Sequence, residues 1–235
     1  MQRLLQETSI AVNVRERWPA YRVLVIVAEG LTTSGIDVSQ DPDPLAAAEV
    51  FVREQGEMDW PTHPHIAEWM AAYTAFGAKP KRTSPSVLAL IKRASGGLPR
   101  IDPVTDLYNA ISVTRVLPIG GEDHSTYVSA PRLEMAVGDE PFDTMESGAP
   151  VIDRALPGEV IWRDDQGVTC RRWNWRQCVR TRIGSQTHTA LFLLEALGAM
   201  PDDALLAAGD ELTAGLQRLS PQVRLGQRLL PEIAP

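Results

Sequence analysis

The stretch SPSVLALIKRASGGLPRIDPVTDLYNAISVTRVLPIGGED, Ser84–Asp123, decides how this chain is read. Ser84-Pro85 opens a helix, the apolar residues after it carry the helix forward, and Gly96-Gly97 stops it. The segment PVTDLYNAISVTRVL then starts on a proline and sets Val104, Leu107 and Ile111 at helical spacing, which predicts a second helix. From Pro118 to about Val179 the texture changes to glycines, prolines and short alternating runs. That pattern predicts strands joined by turns.

Working outward, YRVLVIVAEGL (Tyr21–Leu31) is a β-branched run ended by Gly30 and reads as a buried strand. DPDPLAAAEVFVREQ offers Asp43 as N-cap and Pro44 as the first helical residue, and HPHIAEWMAAYTAFG repeats the pattern with a stop at Gly77. Toward the C-terminus, RLEMAV, PVIDRAL, EVIWRD and VTCRRWNW read as strands, with DDQG (Asp164–Gly167) as a hairpin turn. Thr187–Leu197 and Asp202–Leu219 are expected to be helical, and the tail from residue 221 to 235 to be loose. The expectation is one α+β domain over residues 1–220, with no clean internal boundary.

At 235 residues the chain is long enough to bury a core without covalent staples. The two cysteines, Cys170 and Cys178, form neither a disulfide framework nor a CxxC metal pattern, so a reducing cytoplasm is the expected setting. The apolar run Val23–Ala28 is far too short to span a bilayer. A net charge of −7 argues against a protein that coats nucleic acid over its whole surface. The charge is uneven, however. Trp69–Ile101 holds six basic residues and no acid, and Val168–Ile183 holds five arginines and no acid. Two basic islands on an acidic body suit a local anionic partner; the alternative is a pair of solvated faces.

The second island contains RRWNWRQC, Arg171–Cys178, with two of the chain's six tryptophans. On an extended strand Trp173 and Trp175 share one face, and Arg172, Asn174 and Arg176 share the other. The expectation is that the tryptophans pack inward and the other three face a phosphate or carboxylate, which arginine grips bidentately. Weaker patterns are His63–His65, a helix-start loop before it is a metal pair, and Cys178, which lacks a convincing base partner. No Walker A loop, GxGxxG or GxSxG is present. No metal and no cofactor are implied.

Ser84-Pro85, the run Leu98-Pro99-Arg100-Ile101-Asp102, then Val104, Asp106, Asn109, Pro118 and Glu122-Asp123 follow one another with a familiar spacing. The pattern resembles the B3/B4 domain of the phenylalanyl-tRNA synthetase β subunit. Downstream, RLEMAVGDEPFDTMESG is similar to that domain's next segment, with Glu140 at a glutamate position, and SQTHTALFLLE is similar to the segment that opens its closing helix. The resemblance covers roughly Lys79–Leu197. It extends to freestanding bacterial proteins with this domain alone, in which CRRWNWR followed by a threonine recurs, as in Cys170–Arg176 and Thr181 here. Aminoacylation motifs are absent, so a synthetase is not expected.

The resemblance implies a β-sandwich-like core with packed helices and a site that hydrolyses tyrosine wrongly esterified to tRNA, a task that falls to a second site because an apolar pocket rejects an added hydroxyl weakly. It implies Asn109 as a pocket residue; Glu122, the nearest acid to the position where the family's histidine is missing, and Glu140 join it as catalytic candidates. Beside these, Tyr108, Gly120, Gly121, Arg172, Trp173, Asn174, Trp175 and Arg176 are the candidate contacts to substrate or RNA. The family's histidine is replaced by Gly120, its threonine by Tyr108, and its glycine-rich wall by the Trp/Arg run. Three readings stay open: a deacylase acting in trans on misacylated tRNA, a non-catalytic tRNA binder, and a module for an amino-acid-like small molecule. The expected partner is a tRNA acceptor end or an aminoacyl-adenosine-like ligand, not DNA and not a membrane.

Overall fold

A computed structural model describes residues 1–33, 35–36 and 42–232. The chain opens with α1 (Gln2–Glu7), β1 (Ser9–Ile10), α2 (Val12–Arg17) and the long strand β2 (Arg22–Glu29). Four helices follow: α3 (Pro44–Glu54), α4 (Pro64–Ala75), α5 (Ser86–Ala94) and α6 (Pro103–Thr114). Then come β3 (Ile119–Asp123), β4 (Arg132–Met135), the hairpin of β5 (Pro141–Glu146) and β6 (Ala149–Arg154), β7 (Val160–Arg163), β8 (Val168–Arg171) and β9 (Arg176–Gln177). The last elements are β10 (Thr189–Ala196), α7 (Asp202–Leu219) and β11 (Arg224–Leu230).

Local chemistry starts the helices where the sequence predicts. Asp43 accepts a hydrogen bond from the Leu45 amide at 2.9 Å, and Asp102 accepts from Val104 and Thr105 at 3.0 and 2.9 Å, each just ahead of a proline that needs no donor partner. Asp164 organises the DDQG turn, its Oδ1 accepting from the amides of Gln166 and Gly167.

Two sheets stack on each other. One runs β11-β2-β10-β3 and the other β1-β4-β7-β8-β9. Val23, Val25 and Val27 of β2, with Leu191 and Leu193 of β10, face Leu133, Val160 and Trp162 of the second sheet. The opposite residues of the same strands, Leu24, Ile26, Phe192 and Leu194, pack under α6 and α7. This is the α+β sandwich with packed helices that the resemblance implied.

Two expectations are corrected here. Thr187–Leu197 is not a helix: its core is β10, hydrogen-bonded antiparallel to both β2 and β3. A strand buried on both faces loses its alternation, and a leucine-rich run of that kind cannot be told from a buried helix by period. Nor is the described part of the tail loose, because Arg224–Leu230 pairs with β2 from Glu29 to Val23; residues 233–235 lie outside the described residues.

Helix α7 lies directly on β2. A Cβ built on Gly209 would sit 2.3 Å from Leu24 Cδ2. Helix propensity favours alanine over glycine by about 1 kcal/mol, whereas overpacking costs about 1–3 kcal/mol. Gly209→Ala is therefore expected to lower the urea midpoint; a raised midpoint would show that Leu24 has room to yield.

Candidate functional site

Where the two sheets part beside α5 and α6, a cleft of about 510 Å³ opens. Gly120, Gly121 and Glu122 of β3 line one wall, Tyr108 and Asn109 of α6 a second, and Trp173–Gln177 a third. The loop after α6 and the Trp/Arg run thus wall the same hollow. Arg82, ahead of α5, and Arg93, in its last turn, bring the first basic island to the rim, and Arg176 brings the second. Among the described residues none of these three arginines has a carboxylate within 4.0 Å.

The wall at 172–175 is not a strand. Arg172 and Trp173 have φ of 46° and 68°, the left-handed region that non-glycine residues rarely enter, so the simple alternation of faces fails. Trp173 turns fully inward, with ring centroids 4.9 Å from Trp18, 4.8 Å from Tyr21 and 5.2 Å from Trp69. Asn174 also turns inward, where its Nδ2 donates to Glu195 Oε2 at 3.0 Å and its Oδ1 accepts from the Tyr73 hydroxyl at 2.8 Å. Asn174 therefore lines the cleft as part of a buried network rather than as one of an arginine-flanked outer face. Trp175 is half-buried, with the Arg172 guanidinium stacked 4.4 Å from its ring centroid. Arg172 itself lies outside the cleft, and Arg176 is the exposed member of the trio.

Glu195, on the inner face of β10, forms part of the cleft floor and was not singled out by the sequence. It accepts from the Tyr21 hydroxyl at 2.7 Å, Trp162 Nε1 at 2.9 Å and Asn174 at 3.0 Å. Burial pushes its carboxyl up to about 7. The signal was a lone acid inside LFLLEAL, where a charge has no reason to sit unless it is partnered. Nearby, Glu122 is buried, accepts from the Tyr127 hydroxyl, and is likewise pushed up by burial.

Gly120 and Gly121 differ. A Cβ at Gly120 meets nothing within 4 Å, while one at Gly121 would lie 2.7 Å from Tyr108 Cε1. Gly120 leaves open space above the floor, and Gly121 admits the Tyr108 ring, whose hydroxyl burial pushes up to about 12. The Asn109 side chain makes no hydrogen bond to another described residue and is half-buried at the cleft wall. Gln177 fastens two walls together, its Nε2 donating to the carbonyls of Gly121 at 3.0 Å and Thr181 at 2.9 Å.

The B3/4 domain family covers residues 68–200, more than half of the sequence. The chain belongs to the B3/4 domain family. No curated protein matches it. A crystal structure of an N-terminal fragment of the phenylalanyl-tRNA synthetase β subunit from Pyrococcus horikoshii is similar at a TM-score of 0.47 and 12% identity. That likeness covers 97% of this chain and 55% of the fragment, so the present B3/4 protein spans about half the length of that relative.

The remaining candidates fall elsewhere in this B3/4 chain. Glu140 is not at the cleft: it closes a turn, accepting from the amides of Val137 and Gly138 at 2.7 and 2.9 Å. Its burial works to raise the carboxyl, but those two amides, its own amide and the Arg163 charge together hold the group below the usual range. His65 is a core histidine, its Nδ1 bonded to the Val116 carbonyl and its Nε2 accepting from Trp69 and the Leu197 amide. Burial pushes the Cys178 thiol up to about 12, the wrong direction for a nucleophile. No cluster of metal-ligating groups occurs among the described residues, and no described helix is long and apolar enough to cross a membrane.

Glu195 predicts a pH dependence with a definite sign. Its folded pKa of about 7 lies above the ordinary carboxylate value of 4.5, so the folded state holds the proton longer than the unfolded chain. Its stabilising contribution is complete below about 4.5 and declines as pH rises through about 7. Relative to Glu195→Gln, the wild type should lose on the order of 3 kcal/mol between pH 4.5 and 8. Urea unfolding of both proteins across that range measures the difference; parallel pH profiles would show that Glu195 stays ionised.

Proposed function

We propose that the cleft binds the aminoacyl end of a tRNA and hydrolyses its ester in trans. The observation that supports this reading is the cleft's polarity: an acidic floor of Glu122 and Glu195 beneath a rim of Arg82, Arg93 and Arg176. A free amino acid presents an ammonium and a carboxylate at one end. An aminoacyl ester presents an ammonium and a neutral ester, with its negative charge displaced onto phosphates. Such a ligand matches acid below and base above. The reading rests on the cleft and the family.

In the proposed reaction, water attacks the ester carbonyl carbon while Glu195 accepts a proton from it. Its pKa near 7 is matched to that task at neutral pH. Glu122 faces the substrate ammonium. The Asn109 amide, with both a donor and an acceptor, holds the carbonyl oxygen and the attacking water. The bond from carbonyl carbon to ribose oxygen then breaks. That oxygen takes the proton back and leaves as a hydroxyl, releasing the free amino acid. Arg82, Arg93 and Arg176 meet the phosphates.

A second reading, non-catalytic binding, draws on the three donors already engaged by Glu195 and on Gly120, which supplies no acid or base. Purified protein and a panel of correctly and wrongly charged tRNAs separate the two. Hydrolysis of at least one pair should exceed buffer clearly, and Asn109→Ala and Glu195→Gln should each slow it by about 10²-fold. Binding that weakens with salt but never cleaves would retain the binder and remove the deacylase. Binding of free amino acids with indifference to tRNA would remove both.

A further inference from the structure

Beside the cleft lies a smaller hollow of about 250 Å³, bordered by Lys79, Arg82, Arg172 and Glu159. The two spaces share Arg82 on one side. On the other side they are joined through successive residues, since Trp173 lines the cleft and Arg172 the hollow. The left-handed backbone at Arg172–Trp173 sends these neighbours into different spaces. Lys79 and Arg82 sit on one turn, the Arg82 amide donating to the Lys79 carbonyl at 2.8 Å, and both are exposed.

Glu159 does not neutralise the hollow. Arg171 takes it with two hydrogen bonds, 2.9 Å from Nε to Oε1 and 2.8 Å from Nη2 to Oε2, and the Arg172 amide takes a third at 2.9 Å. The Arg172 side chain reaches it only at 3.7 Å through Nε, and its terminal nitrogens make no hydrogen bond to a described residue. Stacking on Trp175 holds that guanidinium in place. Lys79 and Arg82 form no ion pair among the described residues. Three cations thus converge on one small space, one of them already oriented, and only a carboxylate that is itself spoken for lies opposite.

We infer that this hollow seats a phosphodiester of single-stranded RNA, the one that enters the cleft on the 5′ side of the terminal nucleoside. The inference rests on the reading of the cleft as an aminoacyl-end site. It adds a path: the terminal nucleoside enters the cleft, Arg82 spans the junction, and Lys79 and Arg172 hold the next phosphate. The role expected of Arg172 from sequence, gripping an anion, is kept but moved to a different space and different companions.

Two probes separate the parts. One is a 3′-aminoacylamino-3′-deoxyadenosine, non-hydrolysable and free of phosphate, which needs only the cleft. The other is the trinucleotide C-C-A bearing the same 3′ group. In calorimetric titration, Lys79→Ala/Arg172→Ala should bind the nucleoside within twofold of wild type and the trinucleotide at least tenfold more weakly. Losing the seat of that one phosphate should flatten the trinucleotide's slope of log K against log salt by about 0.7. Arg172→Lys should restore part of the loss, and Arg82→Ala should weaken the trinucleotide as well. If the double variant binds the trinucleotide with wild-type affinity and slope, the hollow is not a phosphate seat, while the cleft reading stands. If its nucleoside affinity falls equally, the two spaces are not separable and the inference also fails. If wild type binds neither probe, the cleft reading falls and the path falls with it.

Discussion

Glu195 connects parts of the molecule that are distant in sequence. It stands on β10 of one sheet, takes a hydrogen bond from Trp162 on β7 of the other, and takes two more from Tyr21 ahead of β2 and from Asn174 in the turn. A buried carboxylate is tolerated only when its oxygens are satisfied, so the fold must hold those three donors where they are. The spacing of the sheets at the cleft follows from this constraint. So does the inward rotation of Asn174, which in turn receives Tyr73 from α4 and links the helical layer to the same network.

Around this polar centre the aromatic packing does the opposite job of excluding water. Trp173 is enclosed by Trp18, Tyr21, Trp69 and Phe76, its neighbours meeting it largely edge to face. Removing such a ring leaves a cavity and typically costs about 3–5 kcal/mol. That enclosure accommodates two consecutive left-handed residues, a conformation of order 1–3 kcal/mol each for residues other than glycine. Strain at Arg172 and Trp173 is what lets one short turn supply a core tryptophan, a cleft wall and a cation in a neighbouring hollow.

The helices were legible in the sequence because their signals are local. Asp43-Pro44 and Asp102-Pro103 each place a side-chain acceptor one residue ahead of a proline, and both caps form as read. Strand β2 was legible because its β-branched run leaves little choice. Strand β10 was not, because leucine favours helices intrinsically and only pairing with β2 and β3, far away in sequence, overrides that preference. Strand β11 was hidden for the same reason: its partner lies about two hundred residues upstream. Of the site, the loop after α6 and the Trp/Arg run were placed together correctly. The facing of Arg172 and Asn174 was not, since no glycine marks the left-handed turn.

The misplacement of Glu140 shows why residue type at a matched position is weak ground for chemistry. Glu140 and Glu195 are both buried carboxylates with several hydrogen bonds, yet their protonation is pushed in opposite directions. Backbone amides at Glu140 stabilise the charge and hold the proton off. At Glu195 burial outweighs the donors and raises the carboxyl to about 7, so near neutral pH it is ionised in part of the molecules and can take a proton from water. A carboxylate held below its ordinary range is a weak base for water, and Glu140 is in any case not among the cleft residues. What qualifies a carboxylate here is the balance between desolvation and donors at its own position, set by which strand it occupies and what the opposite sheet presents. That balance becomes visible only when both sheets are in place.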